Sequence, residues 1–128
     1  MDIEYLDGEV DVELLAALRA RCAFRALGAD ELRQQLRGAR WVVSAWAGAE
    51  LVGLARAISD GITNAYVSSV MVDASWRRRG VGHELMRRLM DGRPAGMRWV
   101  LHAREDALEF YGAIGFTPAT HMLWRGRR

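Results

Sequence analysis

Three consecutive arginines run into two closely spaced glycines at Arg77-Arg78-Arg79-Gly80-Val81-Gly82, directly behind the apolar stretch Val70-Met71-Val72-Asp73. An amphipathic segment follows. In a strand–turn–helix of this kind the first N–H groups of the helix have no partner within it. The helix dipole adds to their attraction for an anion. Gly80 and Gly82 carry no Cβ, so an anion can come close to the main chain, and Arg77 and Arg79 add charge and donors. A pyrophosphate suits such a cradle. A Walker loop requires Gly-Lys-Ser/Thr, yet all 18 basic residues are arginine and the chain has no lysine. The dinucleotide fingerprint requires a third glycine, where Gly80-Val81-Gly82-His83-Glu84-Leu85 ends in Leu85. The glycines alone also fit a tight turn flanked by exposed arginines.

Without lysine, Schiff-base chemistry and a lysine general base are ruled out. Cys22 is the single cysteine, which excludes an internal disulfide and a cysteine-based zinc cluster; no metal site is expected. The net charge of +2 is too small to argue for nucleic acid. Arg125, Arg127 and Arg128 at the C-terminus read as a solvated tail.

These residues need a scaffold. The 128 residues fit one domain, 1–128. With 51% apolar and 27% charged residues, the composition is that of a soluble globular protein. No apolar run reaches the ~18 residues of a membrane span, and the acidic start with Asp2 and Glu4 shows no signal peptide. A cytoplasmic protein without a membrane or nucleic-acid partner is therefore expected.

Ile3–Leu6 reads as a short strand. Val12, Leu15 and Leu18 recur at helical spacing, so Asp11–Cys22 reads as a helix. Asp30 is placed to N-cap a second helix through Arg37. Trp41–Ala47 and Leu51–Ile58 form an expected hairpin across Gly48-Ala49-Glu50, and Ser59-Asp60-Gly61 signals the next turn. Tyr66–Val72 is a strand. In the helix from Gly80 to Met90, Val81, Leu85 and Leu89 form the inner stripe, broadened by Met86 and Met90, with Arg87 and Arg88 facing away. Arg98–Ala103 reads as a strand, Asp106–Ile114 as a helix capped by Gly115, and Phe116–Trp124 as a final strand. The fold class expected is α/β (α+β): one mixed, mostly antiparallel sheet flanked by helices on both faces. Trp41, Trp46, Trp76, Trp99 and Trp124 are read mainly as core.

Two segments together resemble the GNAT family of N-acetyltransferases. The family's Arg/Gln-x-x-Gly-x-Gly/Ala pattern matches Arg77–Gly82 behind a strand. Its second signature matches Ala107-Leu108-Glu109-Phe110-Tyr111-Gly112-Ala113-Ile114-Gly115-Phe116. The resemblance covers Trp41–Trp124. It implies a GNAT-like fold and transfer of an acetyl group from acetyl-CoA to a primary amine of a small molecule or a protein. It implies a pyrophosphate held along Arg77, Arg78, Arg79, Gly80, Val81, Gly82 and His83. It also implies a splayed central strand whose Val70, Met71 and Val72 backbone meets the pantetheine arm. Tyr111 matches the family's general acid, whose phenol meets the departing thiolate; a tyrosine pKa near ~10 and a thiol's near ~8.5 suit that exchange. The general base is open among His102, Ser68, Ser69, Asp60 and a water relay. Relatives are often homodimers, so a homodimer is allowed. Two positions depart from the pattern: Arg104 where relatives often have Asn, and Ala74 where they often have Pro. A non-catalytic CoA-binding module is the second reading.

Overall fold

The computed structural model of the chain describes residues 2–126; Arg127 and Arg128 of the terminal arginine group lie outside them. Period-two runs of small and branched residues build the sheet. β2 (Trp41–Ala47), β3 (Glu50–Ser59) and β4 (Asn64–Val72) pair antiparallel in sequence order. β1 (Glu4–Asp7) pairs antiparallel with β2, and β5 (Arg98–Leu101) pairs parallel with β4. The sheet order is β1-β2-β3-β4-β5. Every residue of β3 from Leu51 to Ala57 is buried, as expected of a strand covered on both faces.

Helices cover both faces. α1 (Val12–Arg21) and α2 (Ala29–Gly38) pack Leu15, Leu18, Leu32 and Leu36 against Val42, Leu54 and Met71. On the other face α3 (Val81–Met90) sets Val81, Leu85, Met86 and Leu89 against Val43, Val52, Ala55, Ala57 and Val67. Gly53 allows this approach: a Cβ there would lie 3.0 Å from Leu85 Cδ1 and 3.2 Å from the Met71 carbonyl oxygen. α4 (Leu108–Ala113) follows β5 and a 3-10 turn at Glu105–Ala107. No helix of the described residues is long and apolar enough to cross a membrane.

Three sequence expectations are corrected. Phe116–Trp124 forms no strand among the described residues. Pro118 cannot donate to a ladder, β5 ends at Leu101 rather than Ala103, and Leu123 and Trp124 are 95% and 76% exposed. The second helix starts at Ala29 with Gly28 as N-cap; Glu31 Oε1 accepts from the Gly28 N–H at 2.9 Å, and Asp30 instead pairs with Arg33. Of the five tryptophans, four are half-buried and Trp124 is exposed, so none is full core.

Candidate active site

β4 is the strand on which the site is built. Its register with β3 slips between Arg56 and Ala57, so that Ser68 is an extra, bulged residue. Its parallel pairing with β5 covers only Asn64 to Val67. Beyond the bulge, Ser68–Val72 has no ladder partner on the β5 side, and the two strands part. The Asp73 N–H donates to the Val52 carbonyl on β3 at 2.8 Å. By the two-residue period of a strand, Met71 also turns its main-chain groups toward β3, while those of Val70 and Val72 face the gap. Met71 is thereby separated from its two neighbours; its side chain is buried under α1. The Val72 carbonyl accepts from Arg77 Nε at 3.0 Å and from the Cys22 thiol at 3.5 Å.

The turn after β4 is pinned at its start. Asp73 is buried, its Oδ1 accepts from the Ser75 N–H at 2.9 Å, and its Oδ2 meets Arg21 Nε at 2.6 Å. Those bonds, the Ser75 N–H first and Arg21 after it, hold its carboxyl below the usual carboxylate range against the opposing effect of burial. A 3-10 turn, Ala74–Trp76, follows. Arg78 then adopts φ 63° and Gly80 φ 82°. These two left-handed residues lead into the free N–H groups at the start of α3, an end suited to an anion. Gly80 is the N-cap of α3, and no side chain caps that end. A Cβ on Gly80 would meet nothing within 4 Å. Arg77, Arg78, Arg79 and His83 are exposed around this opening, with Val81 buried beneath it. Arg79 also stacks on Trp76, 5.0 Å from its ring centroid.

Gly82 has a different task. A Cβ there would lie 3.3 Å from Phe110 Cζ, so the missing side chain admits the Phe110 ring. The two sequence signatures therefore touch. α4 closes with a left-handed Gly115 at φ 103°. The Phe116 N–H bonds to the Tyr111 carbonyl at 3.0 Å, and the Gly115 N–H to that of Gly112 at 3.2 Å. This pair is a Schellman cap, which usually brings an apolar contact between its ends. Here the Tyr111 and Phe116 rings meet edge-on at 5.8 Å. The spacing Tyr-x-x-x-Gly-Phe thus fixes the Tyr111 ring, which Phe110 supports at 5.0 Å from the other side in sequence. Tyr111 is half-buried, and burial pushes its phenol up from the ordinary value. No hydrogen bond engages that phenol among the described residues.

The polar residues offered as a base are mostly occupied. Asp60 accepts from the Thr63 hydroxyl and from the N–H groups of Ile62, Thr63 and Asn64, which pull its carboxyl far below the usual range; it is a turn-former. Ser68 and Ser69 accept from Arg56 at 2.9 and 3.1 Å. His102 is exposed just past β5, its ring 5.7 Å from that of Trp124. Gly53 and Arg56 escaped the sequence reading, and Phe110 stood in the second signature without a role of its own. A lone glycine and a lone arginine inside an apolar strand were the visible signals for the first two.

A family model described as the acetyltransferase (GNAT) domain matches residues 10–122. The chain belongs to the GNAT acetyltransferase family. No curated protein matches it in sequence. Among solved structures, a Staphylococcus aureus protein described as a probable acetyltransferase superposes with a TM-score of 0.87 at 20% identity, covering 98% of this chain and 100% of that one. A GNAT-family acetyltransferase from Streptococcus pneumoniae gives 0.79 at 24% identity, over 99% and 100%. An aminoglycoside N-acetyltransferase in complex with CoA gives 0.73 at 15% identity, over 99% and 95%. At these identities the likeness establishes the GNAT fold of this chain.

Proposed function

We propose that this GNAT domain moves an acetyl group from acetyl-CoA to a primary amine of a small molecule by direct attack on the thioester. The observation that carries the reading is the cradle at Arg78–His83, with its uncapped helix start, open Gly80 and three exposed arginines, a few residues along the chain from Val70 and Val72, which lack a ladder partner on the β5 side. Acetyl-CoA brings a thioester already activated for acyl transfer. The chain has to hold it, align the amine and manage protons. The main-chain N–H groups from Arg78 to His83 hold the diphosphate, with Arg77 and Arg79 as charge partners. Val70 offers its backbone N–H and carbonyl to the pantetheine arm and Val72 its N–H, the Val72 carbonyl being engaged by Arg77 and Cys22. Of the expected backbone contacts, Met71 is the one that faces away. The Tyr111 phenol donates its proton to the departing thiolate. With Asp60 held in its turn and the serines engaged by Arg56, water serves as the proton acceptor from the amine.

Two measurements test this. CoA raises the melting temperature, because a ligand specific for the folded state must do so, and acetyl-CoA with a panel of amines releases free thiol. Tyr111→Phe lowers turnover by about 10²-fold or more, within the usual range for a general acid, and leaves the CoA-induced shift intact. Because the Tyr111 pKa is raised from 10.0, the phenol stays protonated through neutral pH, and any loss of rate from its ionisation appears only above pH 10. A melting shift without thiol release on any amine would mark a CoA-binding module instead. Unchanged turnover in Tyr111→Phe would remove Tyr111 from the mechanism.

A further inference from the structure

Two arginines are buried without a carboxylate partner among the described residues. Arg19 on α1 and Arg56 on β3 are each 6% exposed. Neither takes part in a salt bridge among the described residues. Arg19 donates from Nη2 to the Arg25 carbonyl at 2.7 Å, and its Nε is buried with no partner. Among the described residues Arg56 reaches the hydroxyls of Ser69 and Ser68. Desolvation first, then the nearness of other arginines, disfavours the charge on both: Arg25 acts on Arg19, and Arg19 on Arg56. A buried charge is normally paired, and here like charges are brought together instead.

The surroundings are built to keep them there. α1 ends on Ala23 at φ 60°, a left-handed backbone in a residue that pays for it sterically. The Phe24 N–H bonds to the Arg19 carbonyl at 2.9 Å and the Ala23 N–H to that of Ala20 at 3.2 Å, which closes a Schellman cap. Phe24 thereby lies over Arg19, its centroid 5.3 Å from the guanidinium carbon. The same ring takes Arg104 at 5.2 Å. Arg104 follows β5, so this contact joins the end of α1 to the segment after β5. It is also one of the two positions at which the chain departs from the family's pattern. Arg25 and Arg104 are exposed. Four arginines therefore converge on the α1 side of the β4 bulge, beside the stretch from Val70 to Val72.

We infer that the acceptor amine carries a compact oxyanion, a carboxylate or a phosphate, and that Arg19 and Arg56 bind it beside the β4 bulge while Arg25 and Arg104 attract it. The inference rests on the acetyl-transfer reading, since the anion is placed next to the backbone assigned to the thioester arm. An anion here supplies the missing partner of the Arg19 Nε and offsets the repulsion among the guanidiniums. The simplest acceptors of this kind are amino acids; phosphorylated amines share the chemistry.

The test reads melting temperature in steps. CoA alone reports the earlier reading, and at saturation it occupies the Arg77–His83 cradle so that added anions do not bind there. N-acetylalanine is then compared with N-ethylacetamide, its decarboxylated counterpart, and N-acetyl-O-phosphoethanolamine with N-acetylethanolamine, at constant ionic strength. At least one anionic amide adds a shift of about 3 °C or more, and neither neutral amide does; which anion works distinguishes carboxylate from phosphate. Arg56→Gln and Arg19→Gln each abolish the added shift and keep the CoA shift. Equal shifts from an anion and its neutral counterpart, no shift from either anion, or an anion shift that survives both substitutions overturns the inference. If one variant does not fold, the other variant and the paired amides on the unaltered chain decide. Loss of the CoA shift in the unaltered chain would instead overturn the acetyl-CoA reading.

Discussion

Arg78 holds a left-handed backbone at φ 63°, and for an L-residue that conformation costs roughly 1–2 kcal/mol. Glycine avoids the steric term but loses about 0.5–1 kcal/mol of chain entropy on folding. Arg78→Gly is therefore close to neutral in stability, whereas the β-branched Arg78→Ile lowers it by about 1–2 kcal/mol, several degrees of melting temperature for a chain of this size. Equal melting of the two variants would show that residue 78 is not left-handed. The sequence displayed Gly80, the residue type that favours such a turn, but an arginine gives no comparable sign. The same asymmetry applies across the site. Tyr111 and the arginine run stand out by type and spacing. Phe110 belongs to the second signature, but its contact was not legible because its partner, the bare Cα of Gly82, is distant along the chain. Arg19 looked like any basic residue near the end of a helix.

At the scale of the element, α4 is six residues long, too short to persist without its cap and its packing. Gly115→Ala places a Cβ on a backbone at φ 103°, which costs about 1 kcal/mol. The loss falls on α4 rather than on the sheet, so turnover drops by a larger factor than global stability does. Comparing thiol release with the denaturant midpoint checks this; parallel losses would mean that α4 and the sheet unfold as one. Helix and strand positions were largely legible, because the stripes of α1 and α3 and the apolar run of β3 repeat with the right period. The ending was not. Phe116–Trp124 is rich in apolar residues and suggests pairing, yet a strand also needs an edge of sufficient length, and β5 provides four residues. Gly28 and Glu31 likewise outcompeted Asp30 at the start of α2, a choice between two neighbouring caps that spacing alone does not resolve.

At the scale of the molecule, Arg21 and Asp73 join the end of α1 to the end of β4 across 52 positions of sequence. The Asp73 carboxyl is depressed in the folded state, chiefly by the Ser75 N–H and then by Arg21. A depressed carboxyl stabilises the fold above its unfolded pKa, near 3.8, and that contribution is lost as pH falls through the folded value. Stability is therefore flat in this respect from neutral pH to about 4 and declines below it. Asp73→Asn costs about 1–3 kcal/mol at pH 7 and flattens the acid limb of a denaturation series. An unaltered acid limb in the variant would show that the pair does not form. Such a tie was beyond reach of the sequence, where Arg21 and Asp73 have eighteen arginines and many acids to choose among.

The resting of Phe110 on Gly82 makes the two signatures of this domain one thermodynamic unit. Changes in either are non-additive: Gly82→Ala is harmful when the aromatic ring is present and much less so once Phe110→Ala has vacated the space. The coupling energy of that double-mutant cycle falls in the range of about 0.5–3 kcal/mol seen for residues in contact, and a value near zero would separate them. Evolution of the turn proposed to hold CoA and of the short helix proposed to carry the acid is then constrained jointly, with neither free to drift alone.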